Sequence, residues 1–125
     1  MVTRYQFVLA SASARRKKLL KDASYRFVVE VSDFDEASVP VCPDAGRYAE
    51  KLALGKAMSV ANKHPSDIVL GADTICECGG EIIGKPRDRR DAERITRKLF
   101  SQPHRTITGI AIVRLEDPLE IVMHD

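Results

Sequence analysis

An excess of charge of one sign is missing from this sequence. Its 20 Lys+Arg stand against 18 Asp+Glu, a formal net charge of +2. That is too mild for a protein whose main work is coating nucleic acid or acidic lipid, so any anion site must be local. A long apolar run is missing too: no stretch is long enough to span a bilayer, and the N-terminus carries no signal-peptide core. We therefore expect a soluble, cytoplasmic chain with neither nucleic acid nor membrane as partner. Cysteine is scarce and odd in number. Cys42, Cys76 and Cys78 make no disulfide framework and read as free thiols of a reducing compartment. Two of them, Cys76 and Cys78, would share one strand face, but without a second ligand pair they make a poor zinc site. Repeats, linkers and low-complexity segments are also absent. What is present is a globular composition, 44% apolar in periodic segments, and a length of 125 residues that suits a single domain over residues 1–125.

Strand and helix patterns alternate, which predicts an α/β fold: a mixed twisted sheet with flanking helices. Residues 5–10 read as a strand, 13–21 as a short helix and 26–31 as a second strand, with a turn at 21–24. The run "DFDEASVPVCPD" at 33–44 holds two prolines and no helical period, and is an acidic loop. After it comes a long helix on which Ala49, Leu52, Ala53, Ala57, Val60 and Ala61 share one side. Residues 68–72 read as a buried strand running into a hairpin turned at Gly79-Gly80. A third helix spans 88–100, with Asp88 as N-cap and Ala92, Ile95 and Leu99 inward. The chain ends in strands at 106–115 and 119–123.

The segment "LASASARRKKLL" at 9–20 carries the first chemical signal. A helix N-terminus normally recruits Asp or Glu, yet here Arg15, Arg16, Lys17 and Lys18 follow Ser11 and Ser13, of which Ser13 can cap the helix. Either these cations lie on a solvated face, or the first-turn N–H groups, hydroxyls and guanidinium groups together hold a phosphate. Asp73, after the apolar "IVLGA", stands where that strand should leave the sheet. It is either ordinary turn chemistry or a carboxylate for a metal or a proton. Lys56 lies at the border of the apolar stripe of the long helix, and either snorkels to water or aims at an internal anion. The acidic run 33–36 offers carboxylates to a hard cation such as Mg²⁺ or Mn²⁺. Lys85 follows the hairpin between Gly84 and Pro86. The basic segment "KPRDRRDAERITRK" alternates with acids, has no interleaved aromatics and reads as a solvated helix. His64, His104 and His124 are isolated and read as packing or surface residues.

Taken together, "LASASARRKKLL", "DFDE", "KLALGKA", "GADT", "GKPRDRRDA" and the "TG" at 108–109 follow the order and approximate spacing of the Maf family. These are septum-formation-inhibitor-like nucleotide pyrophosphatases, and the resemblance runs from about residue 7 to about residue 113. It implies an elongated α/β architecture like that of inosine-triphosphate pyrophosphatases. It also implies hydrolysis of nucleoside triphosphates to monophosphate and pyrophosphate, dependent on a divalent cation (Mg²⁺ or Mn²⁺). By the same resemblance Asp73 is the proton acceptor, and Arg15, Arg16, Lys56 and Lys85 are phosphate-binding cations. Ser11 and Ser13 are the loop hydroxyls, and Glu36 with Asp73 is placed at the metal. The pairing of "ARR" at 14–16 with Asp73-Thr74 resembles members that prefer dTTP and UTP, including modified uridine nucleotides, with Arg15 and Thr74 setting the choice. A house-cleaning role in the nucleotide pool follows from it.

Departures are few but one is large. Ala14 stands where the family usually has proline, and Phe100-Ser101 replaces a usual Ser-Gly. Family members continue well past residue 125, where they supply another lysine and a glutamine near the base. The second lobe is thus expected to be incomplete, with a sheet edge left exposed, and the chain to be a fragment, a truncated paralogue or a form completed by homodimer pairing. A catalytically inactive nucleotide-binding module and an edge-pairing interaction protein are the alternative functions.

Overall fold

The computed structural model describes residues 5–84 and 87–125. Strand β1 (Phe7–Ala10) leads into helix α1 (Ala14–Asp22) and strand β2 (Phe27–Val29). After the acidic loop, with its 3-10 turn at Glu36–Ser38, come helix α2 (Ala45–Ala61) and the hairpin of β3 (Val69–Cys78) and β4 (Glu81–Ile83). Helix α3 (Arg89–Ser101) and strands β5 (His104–Arg114) and β6 (Leu119–His124) follow. The strands form one mixed sheet in the order β2-β1-β3-β5-β6, with β4 also on β3. β1 runs parallel to β2 and β3, while β3, β5 and β6 are successively antiparallel. This is the expected fold class.

One face of the sheet is closed by α2. Ala49, Ala53, Ala57 and Ala61 are fully buried along it, joined by Leu52 and Val60, as the helical spacing predicts. They meet Val69 and Ile75 of β3 and Ile107, Ala111 and Val113 of β5. The fit is close because the sheet is glycine where the helix crosses it. A Cβ at Gly71 would run into the Ala53 carbonyl oxygen and Ala57, and one at Gly109 into the Ala49 backbone. Small residues on both sides let the helix backbone lie directly on the strands.

The opposite face is more open. Leu70, Ile110 and Ile112 are only half-buried there. Helix α1, at its margin, buries no residue. Helix α3 covers the hairpin end, where the Cys78 thiol donates to the Lys98 carbonyl (3.6 Å) and Glu81 pairs with Arg94 (3.1 Å) and Lys98 (2.7 Å). Among the described residues, β2 and β6 end the strand order, and the short β4 is paired on one side only.

One boundary corrects the sequence reading. The apolar strand does not leave the sheet before Asp73; β3 continues through it to Cys78, because β5 offers a partner at every position from Val69 to Cys78. Pairing supplied by a distant segment overrides the weak strand preference of Asp73. The other edge of β3 is interrupted instead. β1 occupies it at Val69–Gly71 and β4 at Cys76–Cys78, so the residues between, 72–75, border a notch in the sheet.

Candidate functional site

The notch collects most of the residues singled out from the sequence. β1 ends at Ala10, and the chain turns through Ser11 into α1. Ser13 is its N-cap and accepts from the Arg16 backbone N–H (3.2 Å), while the nearly buried Ser11 accepts from the Ser13 N–H (3.2 Å). With no acid in the first turn, the Arg16 guanidinium bends across the notch. It donates to the Thr74 hydroxyl (2.5 Å), to the Ala72 carbonyl (3.4 Å) and to Ser11 (3.4 Å). That carbonyl is a backbone acceptor on the interrupted edge of β3, and Arg16 answers it. Thr74 also meets Thr108 of β5 at 3.0 Å. Arg15 is exposed and lines the same cavity, about 600 Å³, together with Arg16, Thr74, Thr106, Thr108 and Leu70.

The next residue back along the strand points the other way. Successive side chains of a strand face opposite sides, so Asp73 is on the α2 side, where the close seat of that helix brings Lys56 to it. The Lys56 ammonium donates to Asp73 Oδ1 at 2.5 Å and pairs with Glu36 Oε1 at 2.8 Å. Burial opposes its charge, but the hydrogen bonds to Asp73 and Glu36 prevail and raise its pKa above 10.5. Lys56 is therefore a cation at neutral pH, aimed at an internal anion rather than at water. Nearby, burial pushes the Tyr48 phenol up from 10.0, and the charges of Asp73, Glu36 and Cys42 add to the rise.

The acidic run divides its labour. Asp33 lies 3.9 Å from Lys63, Asp35 caps the 3-10 turn through Ala37 N–H (3.1 Å), and Glu36 alone reaches Lys56. Its carboxylate and that of Asp73 converge on one ammonium, which gives two hard oxygen donors at one point. Such a pair fits Mg²⁺ or Mn²⁺ when phosphate oxygens complete the shell. Among the described residues no group of three or more His, Cys, Asp or Glu could hold a metal by itself. Lys85 lies outside the described residues.

The candidates thus form two clusters on the two faces of β3, Glu36–Lys56–Asp73 and Ser11–Ser13–Arg16–Thr74, that meet at the notch. Thr108 was not assigned a role from sequence. The alternation along β5 puts residues 106, 108 and 110 on one side, but only the register Thr74↔Thr108 sets it against Thr74.

Comparison with known proteins gives the family and the fold. Residues 6–124 match the family described as Maf-like protein. The chain is similar to dTTP/UTP pyrophosphatases of Symbiobacterium thermophilum (43% identical, 96% of this chain and 60% of the relative) and Acholeplasma laidlawii (42%, 85% and 56%). A third, from Geobacter sp. strain M21, is 46% identical over 84% of this chain and 54% of the relative. The chain therefore spans about three fifths or less of the length of these curated relatives. Among solved structures, a nucleoside-triphosphatase, dITP/XTP pyrophosphatase, from Mycobacterium abscessus superposes with a TM-score of 0.57 at 15% identity, over 95% of this chain and 70% of that one. That likeness is one of fold. No helix among the described residues is long and apolar enough to cross a membrane.

Proposed function

This chain belongs to the Maf family, and from that premise we propose that it binds and hydrolyses a pyrimidine nucleoside triphosphate, releasing the monophosphate and pyrophosphate. The observation that carries the proposal is the convergence of Asp73 and Glu36 on the Lys56 ammonium beside the Arg16-bearing notch. In the reaction a water attacks the α-phosphorus, its proton passes to Asp73, and the bond to the β-phosphate oxygen breaks. Lys56 offsets charge at the phosphates, as do Arg15, Arg16 and Lys85. The Ser11 and Ser13 hydroxyls and the first-turn N–H groups of α1 receive phosphate oxygens. Glu36 and Asp73 would hold a divalent cation, Mg²⁺ or Mn²⁺, which when bound offsets charge on the leaving pyrophosphate.

The relatives are named for dTTP and UTP, and Arg15 and Thr74, which line the cavity on the open face, are our candidates for base choice. Modified uridine nucleotides, a cytoplasmic location and a house-cleaning role belong to the same proposal.

Pyrophosphate release from dTTP or UTP with Mn²⁺, beside Asp73→Asn, tests it. Turnover by the wild type alone is the expected result. A second reading is a nucleotide-binding module without turnover, resting on the Arg16-bearing notch and the acid-free first turn of α1 rather than on Asp73. Binding of dTTP with no pyrophosphate from either protein would select it.

A further inference from the structure

Glycine inside a helix is disfavoured relative to alanine, so Gly55, in the middle of α2, needs a packing reason. The reason is Phe34. A Cβ at position 55 would overlap the end of the Phe34 ring, at Cζ and Cε2. The ring, in turn, packs against the cluster of Ala45, Ala49, Leu52, Ile75 and Ile107. Two further contacts bind the same loop to the same side of α2. The Ser32 hydroxyl meets that of Ser59 at 2.6 Å and accepts from the Phe34 N–H at 3.0 Å, and Glu36 pairs with Lys56. Phe34 is thus the apolar anchor between a hydroxyl contact and an ion pair. Glu36 itself is more than half exposed, and its exposed ion pair is too weak to order a loop unaided.

We infer that Gly55 and Phe34 are positioning residues: the missing side chain at 55 seats the Phe34 ring, and the seated ring holds Glu36 against Lys56. The inference rests on the reading of Glu36 as a site carboxylate for its functional meaning, but its geometry is tested without turnover.

A water-soluble carbodiimide joins a lysine to a carboxylate only where the two touch. In the wild-type protein it should give two products mapped by mass spectrometry, Lys56–Glu36 and Lys56–Asp73. The second involves only α2 and β3 and serves as the internal control. Gly55→Ala should abolish the Glu36 product and keep the Asp73 product, and Phe34→Ala, which adds nothing to the helix, should do the same. If both products persist in both variants, the inference is overturned. If both are lost, position 55 governs the seat of the helix rather than that of the loop, and it is overturned equally. In the activity assay the expected accompaniment is about a tenfold or greater loss of pyrophosphate release in either variant, the usual scale for a residue that orients a site group. A wild type that releases no pyrophosphate while the cross-linking pattern holds would sink the pyrophosphatase reading and leave the positioning intact.

Discussion

Asp73 and Thr74 are neighbours in sequence whose side chains serve opposite faces of β3, and each can be tested alone. If Asp73 takes the proton of the attacking water, Asp73→Asn should lower kcat by about 10²–10⁴-fold, the usual contribution of a general base. Calorimetric titration with dTTP should meanwhile find binding retained, because Lys56 and Arg16 remain. Thr74 is different: it accepts from Arg16 and meets Thr108, so it holds a cation rather than a proton. Thr74→Val should release the guanidinium and raise KM about tenfold, the effect of one hydrogen bond to a charged group. Thr74→Ser should restore it, and steady-state kinetics separate the two outcomes.

At the scale of elements, the seat of α2 decides whether Lys56 reaches Asp73. Gly71→Ala places a methyl group against the Ala53 carbonyl oxygen and should cost about 1–3 kcal/mol, as overpacking of a filled core does; urea unfolding measures it. The other end of α2 is tied by charge. His64 Nε2 meets Glu30 at 2.8 Å and its Nδ1 meets Asp67 at 3.3 Å, while Asp67 also accepts from the Tyr5 hydroxyl at 2.9 Å. The Glu30 hydrogen bond is the main cause that raises the His64 pKa above 6.5, against a smaller burial effect. A raised folded pKa means that this contribution is complete below pH 6.5 and is lost as pH rises through the folded value. Urea midpoints should therefore fall between mildly acidic and mildly alkaline pH in the wild type, and fall less in His64→Gln. The inward residues of α2 were legible in the sequence because helical periodicity exposes them. So were the caps: Ser13 and Asp88 cap α1 and α3, each accepting from a backbone N–H of the first turn. The length of β3 was not legible, because its middle, residues 72–75, has a strand partner only in β5, a segment distant in sequence.

In the whole molecule, burial is uneven: α2, β3 and β5 hold most of the fully buried residues, while α1 buries none and α3 only Asp91. Local opening should follow that division. Amide hydrogen exchange should be slowest in β3, β5 and the buried face of α2 and fastest in α1 and α3. Addition of dTTP with Mn²⁺ should slow exchange at the start of α1, residues 14–17, if a triphosphate sits on that helix N-terminus. Equal protection of all three helices in the free protein would contradict the division. The sequence by itself determined the local chemistry: a capped helix whose first turn carries cations and no acid, an alanine stripe, a lysine at its border and an aspartate after a short apolar run. Hydrogen-bonding and periodicity within a few residues are encoded there and need no partner. Only the tertiary structure decided that Lys56 faces two carboxylates rather than water. It alone set Arg16 across the notch in β3 and turned Asp73 rather than Thr74 toward α2. These depend on the register of strands distant in sequence and on how closely a helix lies on glycines, and neither is encoded in any one segment.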